Sequence, residues 1–200
     1  MMQRKMALFG GYAFLGFVIS FLGFAYLTPD YSHTVNQISE LGIEGAPYAP
    51  GWNLIGFGLV GVLVLPLAWS MLMSLRPASG AGVISALVAV SGIGWTSLGV
   101  FAASPGFQPS LSTTLHFMAV TVNYLPFLIA AFVFTFKMKN KPYWKSWALF
   151  SLIMGLLGVA SFFIPATILP GPVSQRLALM AYFSWLLVMG WAVYRKPLQS

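Results

Sequence analysis

The sequence predicts an all-α protein, a bundle of six transmembrane helices with both termini cytoplasmic and a short amphipathic helix capping the outer face between helices 1 and 2. Three observations carry this. The chain is 58% hydrophobic and 6% charged over 200 residues, whereas a soluble surface needs about a quarter of its residues charged. Its mean hydropathy of +0.84 makes lipid its solvent. Its apolar residues also fall into six runs of transmembrane length, crossing a core of roughly 30 Å with about 20 residues each. Residues 1–200 then form a single integral membrane domain, with no length left for a soluble second one.

The first helix, about 6–27, follows Gln3, Arg4 and Lys5. It is longer than the apolar part of a signal peptide and lacks an A-x-A cleavage site, so it is retained. Its Gly16, Ser20 and Gly23 share one face, where another helix can approach closely. Residues 28–51 form the outer cap, which holds the chain's only three acids, Asp30, Glu40 and Glu44, with His33 and no Lys or Arg. The second helix, 52–73, opens on Asn53; the third, 82–103, carries a second stripe of small residues, Gly92, Thr96 and Gly99. The fourth, 113–138, has His116 one turn in, Asn123 deeper on the same face, and then Pro126. The fifth, 147–169, contains Pro165, and the sixth, 177–194, is preceded by Gln175 and Arg176. All connections outside the cap are short, so sequence neighbours pack as antiparallel neighbours.

The net charge of +7 sits at the ends of these runs rather than in one patch, which argues for topology and against nucleic acid. With the N-terminus inside, Arg4, Lys5, Arg76, Lys137, Lys139, Lys141, Lys145, Arg195 and Lys196 are all cytoplasmic, and Arg176 alone is outside. That is the positive-inside pattern, and it places the acids and both histidines outside. The absence of cysteine excludes disulfides, thiolate nucleophiles and Cys-ligated metals.

Within the cap, residues 30–41 suit an amphipathic helix: His33, Asn36, Gln37 and Glu40 share one side, and Tyr31, Val35 and Ile38 the other. Asp30 after Pro29 can start it and Gly42 can stop it. Its polar side would meet His116, Asn53, Asn123, Gln175 and Arg176 from the bundle, because polar groups at membrane depth face protein. Three chemistries fit such a set. The histidines and carboxylates suit a hard or borderline metal, although no ligand spacing assigns one. A histidine beside Ser39 or Ser104 could activate a nucleophile, with no motif to support it. Arg176 could clamp the anionic group of a lipid. Each has a plainer counterpart: His116 and His33 as hydrogen-bonded or solvated end residues, Asp30 and Glu40 as partners of Arg176 holding the cap, and Asn53 and Asn123 as interhelical polar contacts.

At Tyr31 to Gly42, followed by Asn53, the sequence resembles a prokaryotic six-helix membrane family catalogued as domain of unknown function number nine hundred and ninety-eight. The resemblance spans nearly the whole chain and rests on Ile38 to Gly42 after the first helix, His116 at the start of the fourth, and Gln175 with Arg176 before the sixth. Many members carry Phe-Pro and a nearby Asp after the third helix, whereas Phe101 to Pro105 here include no acid. The resemblance further implies a distant similarity to eukaryotic FRAG/DRAM/SFK-like membrane proteins, and so to lipid-related work.

The expected function is therefore an outward-facing polar pocket that binds, and if catalytic modifies, a lipid or other small amphiphile at a prokaryotic inner membrane. Glu40, His33 and His116 are the candidate acid and base groups of a lipid-directed hydrolase or acyltransferase; Asn36, Asn53, Asn123, Gln175 and Arg176 are the candidate ligand contacts. No metal or other cofactor is assigned. A small transporter or proton-coupled carrier is a second expectation, weakened by the lack of charge at midplane. A structural or regulatory subunit, joined to copies of itself or to a partner through its small-residue faces, is the third.

Overall fold

The structure is a computed structural model, and it describes residues 2–197. Among the described residues it contains no strand. Six helices are long and apolar enough to cross a membrane: α1 (Met2–Leu27), α2 (Ala49–Leu75), α3 (Ala81–Val100), α4 (Leu111–Met138), α5 (Lys145–Phe163) and α6 (Gly171–Arg195). Each packs on its neighbour in sequence, and α6 closes the arrangement by packing on α1. Helix α6 also reaches inward, since Tyr182 and Phe183 meet Trp95 of α3 while Phe127 of α4 meets Tyr182 and Trp185. It is accordingly the most buried of the six.

Alternation of direction sorts the charges. One end of the bundle gathers the 28–48, 101–110 and 164–170 connections and all three acids; the other holds the N-terminal turn, the α2–α3 and α4–α5 turns and Lys196. Contacts tie each end together. At the basic end Arg4 Nε donates to the Tyr194 carbonyl (3.0 Å) and Ser70 Oγ to that of Gln3 (2.7 Å). At the acidic end the Glu44 N–H donates to Ala103 (3.0 Å).

Small residues set how closely the helices approach. A Cβ on Gly61 would collide with the Gly92 carbonyl and with Thr96, and a Cβ on Gly92 would meet the Gly61 carbonyl at 2.9 Å, so α2 and α3 touch through their backbones. Gly94 lies against the backbone of Asn123 in the same way, bringing α4 onto α3. The Gly92, Thr96 and Gly99 stripe therefore faces α2 inside the chain, with Gly99 against Asn53. Gly16 likewise faces Val60 of α2.

Proline corrects two helix limits. The fifth helix ends at Phe163 rather than Leu169, because Pro165 pushes Ile164 into an extended conformation (φ −72°, ψ 118°), so Pro165 lies beyond the helix. The sixth begins at Gly171 rather than 177, with Pro172 in the first turn where its missing N–H costs nothing. Gln175 and Arg176 are thereby helical. The α2 run also contains a wide π-helical stretch, Asn53–Leu59.

The cap departs most from expectation. No three-turn amphipathic helix forms over residues 30–41; the chain runs through turns and makes only a five-residue 3₁₀ helix, Ile38–Gly42. Asp30 takes a left-handed conformation (φ 58°), which cannot start a right-handed helix. The polar side chains then compete for the backbone: Asn36 Oδ1 accepts from the Ser32 N–H (2.9 Å) and Glu40 Oε1 from the Gln37 N–H (2.6 Å). Ile38 and Leu41 of the short helix are buried in the bundle core.

Candidate functional site

Beneath the cap, between α3, α4, α5 and α6, lies a cavity of about 340 Å³. Its roof is Gln37, Ile38 and Ser39, its floor and inner wall Trp95, Asn123, Tyr124 and Ala178, and its side the α5–α6 connection from Ile164 to Leu169. Phe117, Val120 and Phe162 line it while remaining largely exposed on the bundle surface. The cavity thus opens sideways between helices, towards the space that lipid tails occupy around a membrane bundle.

Its polar groups are few and fixed. His116, 2% exposed, holds Nδ1 at 2.8 Å from the Phe101 carbonyl oxygen. A carbonyl only accepts, so Nδ1 carries the proton and Nε2 of the neutral ring is left with a lone pair. Phe101 can serve this way because α3 stops at Val100 and the chain turns back over the start of α4. Asn123, also 2% exposed, donates Nδ2 to the Ser91 carbonyl (3.0 Å) and to Ser91 Oγ (3.2 Å). Ser91 Oγ in turn donates to the Tyr182 hydroxyl at 3.1 Å, joining α4, α3 and α6. Tyr124 donates to the Ala178 carbonyl (3.1 Å), and the buried Ser174 hydroxyl has no partner. Among the described residues no charged side chain lines the cavity.

Of the residues singled out in the sequence, His116, Asn123 and Gln175 come together here. The others do not. Glu40 accepts from Asn36 Nδ2 (2.7 Å) and from the Gln37 backbone, which makes it a cap of the 3₁₀ helix rather than an acid or base in the cavity. Asn36 is occupied in turn, donating Nδ2 to Glu40 and accepting the Ser32 N–H at Oδ1. His33 is exposed on the outside of the cap, edge-on to Phe21 (5.3 Å) and Tyr31 (5.5 Å). Asn53 donates to the Gly42 carbonyl (2.9 Å) and tethers the end of the cap to α2.

Arg176 is engaged chiefly by the chain itself. Its Nη1 donates to Pro172 (2.7 Å) and its Nη2 to the Tyr31 hydroxyl (2.9 Å) and the Asn36 carbonyl (3.1 Å), and its guanidinium covers the Phe21 ring at 5.4 Å. Nor does it pair with Asp30 or Glu40: it holds the cap through neutral oxygens. Burial pushes the Tyr31 hydroxyl up to about 12, against the lowering effect of Arg176, so it stays protonated and can also donate to the Gln37 carbonyl (3.2 Å). Gln175 completes the latch, its Oε1 accepting the Ile38 N–H at 2.8 Å. Among the described residues no three His, Asp or Glu side chains gather as a metal-binding group.

The family model described as a protein of unknown function, DUF998, matches residues 12–192. The chain belongs to this family. No curated protein and no solved structure matches it. The DUF998 match takes in the cap, the cavity and the latch together, and so the whole of the site described above.

Sequence reasoning put Gln37 on the cap's polar side but did not assign it, Tyr124, Ser161 or Ser174 to the site. Gln37 sits beside predicted residues, but Tyr124 and Ser161 read as ordinary helix residues. Only the packing of α4 against α5 and α6 turns them inward.

Proposed function

We propose that this DUF998 protein is a multi-pass protein of the prokaryotic inner membrane, with both termini cytoplasmic, that takes one uncharged amphiphile into the cavity under its cap. The observation that carries the reading is the position of His116 and Asn123, each 2% exposed, in the wall of a cavity rimmed by exposed Phe117, Val120 and Phe162. An apolar tail fits the rim, and a hydroxyl, ester or amide group fits His116 Nε2 at the inner end. Charged heads are disfavoured, because burying an unpaired charge there is costly. The volume lies at the lower end of the range for small-molecule sites. If the ligand is turned over, His116 Nε2 is the base available for hydrolysis or acyl transfer, while Glu40 acts by keeping the cap in place.

Native mass spectrometry of the detergent-purified chain, offered a monoacylglycerol, tests this. One bound molecule is expected for the wild type, with weaker retention for His116→Leu. Val120→Trp, which fills the rim from the lipid-facing side of α4, should abolish it. Equal retention by Val120→Trp and wild type, or no retention by either, sinks the reading.

A further inference from the structure

The opposite end of the molecule holds a second hollow, of about 200 Å³, framed by Gln3, Arg4, Ser70, Ser74, Arg76 and Lys196. Two of its three cations are held in place by neutral groups. Arg4 donates from Nε and Nη2 to the Tyr194 carbonyl, and Lys196 Nζ donates to the Ser74 carbonyl at 2.6 Å. These bonds fix the cations without cancelling their charge, and they leave two N–H groups on Lys196 and three on Arg4. Arg76, on the turn between α2 and α3, is exposed at the rim. Asp30, Glu40 and Glu44, the only acids in the chain, all lie at the far face. Three converging cations, with no Asp or Glu side chain at their end of the bundle, make a concave site of positive potential at the edge of a membrane span.

We propose that this hollow binds a phosphate group, either on an anionic lipid headgroup or free in solution. The donors are of the kind phosphate takes, a guanidinium fork and an ammonium point charge. Basic hollows between membrane helices at the cytoplasmic surface recognise lipid headgroups in this way. Burial holds the Lys196 ammonium below its ordinary value, and an adjacent anion would offset that loss. The hollow shares no residue with the cavity under the cap, so the two proposals stand or fall separately.

The test compares the full chain in detergent with phosphatidylglycerol, with phosphatidylcholine and with inorganic phosphate, by native mass spectrometry for the lipids and by thermal unfolding for the free anion. Wild type should retain one phosphatidylglycerol in preference to phosphatidylcholine. Arg76→Gln, which disturbs no side-chain hydrogen bond among the described residues, should weaken that retention about fivefold, and adding Lys196→Gln should weaken it further by a similar factor. Lys139→Gln, a cation on the same face outside the hollow, is the control and should change nothing. Stabilisation by inorganic phosphate that is lost in Arg76→Gln identifies a soluble source; lipid retention without it identifies the headgroup. An equal effect of Lys139→Gln and Arg76→Gln, or no binding of either probe by wild type, overturns the proposal.

Discussion

Gln175 and Arg176 act as two adjacent arms that bind the same segment at different points. Gln175 takes the Ile38 N–H, and Arg176 takes the Tyr31 hydroxyl and the Asn36 carbonyl. Both reach the cap because α6 begins at Gly171 and lifts them on its first turns. Removing one such hydrogen bond from a partly buried site costs about 1 kcal/mol. Gln175→Ala should therefore lower stability by about that amount and speed amide exchange specifically over Ile38–Gly42. Exchange unchanged there, measured by mass spectrometry, would show that the cap is held by Ile38 and Leu41 packing alone.

At the scale of elements, the π-helical stretch Asn53–Leu59 decides how α2 meets α3. A wide turn inside a helix displaces a backbone carbonyl from its usual partner, and the Trp95 indole N–H donates to the Gly56 carbonyl at 2.9 Å. Trp95 then stands at the centre of an aromatic group, near Phe17 (5.6 Å), Phe57 (5.4 Å) and Phe183 (5.0 Å), and forms part of the cavity wall. Trp95→Phe keeps a ring in that group but leaves the Gly56 carbonyl without its donor, a loss of about 1–3 kcal/mol. The thermal midpoint in detergent should fall accordingly. A midpoint equal to wild type would mean that the π stretch closes to an ordinary helix when its partner is removed.

For the whole molecule, the distribution of charge is the organising fact. Nine of the ten basic residues lie at one end, and the three acids lie at the other with Arg176. In the orientation proposed above, which follows the positive-inside rule, the cap and its cavity are outside and the basic hollow inside. Because the chain has no native cysteine, single introduced cysteines report this directly. In intact cells Glu44→Cys should react with a membrane-impermeant maleimide and Lys141→Cys should not until the cells are lysed. The reverse pattern would invert the topology and, with it, the side from which each proposed ligand arrives.

The sequence by itself determined the six spans, the α-helical class and the sorting of charge between the two ends, because hydropathy over about 20 residues and the placement of Lys and Arg are local properties of the chain. It also marked His116, Asn123 and Gln175, since polar side chains in apolar helices must find protein partners. It could not say which faces of α4 and α5 look at α6, so the inward turn of Tyr124 and Ser161 was not foreseen. The periodicity of residues 30–41 suggested a helix, but the competing bonds of Asn36 and Glu40 and the left-handed Asp30 are decided only when the segment folds against Gln175 and Arg176. Only the tertiary structure showed Glu40, the candidate acid or base, and Arg176, the candidate ligand contact, supporting the cap, because each bonds backbone groups of the cap segment.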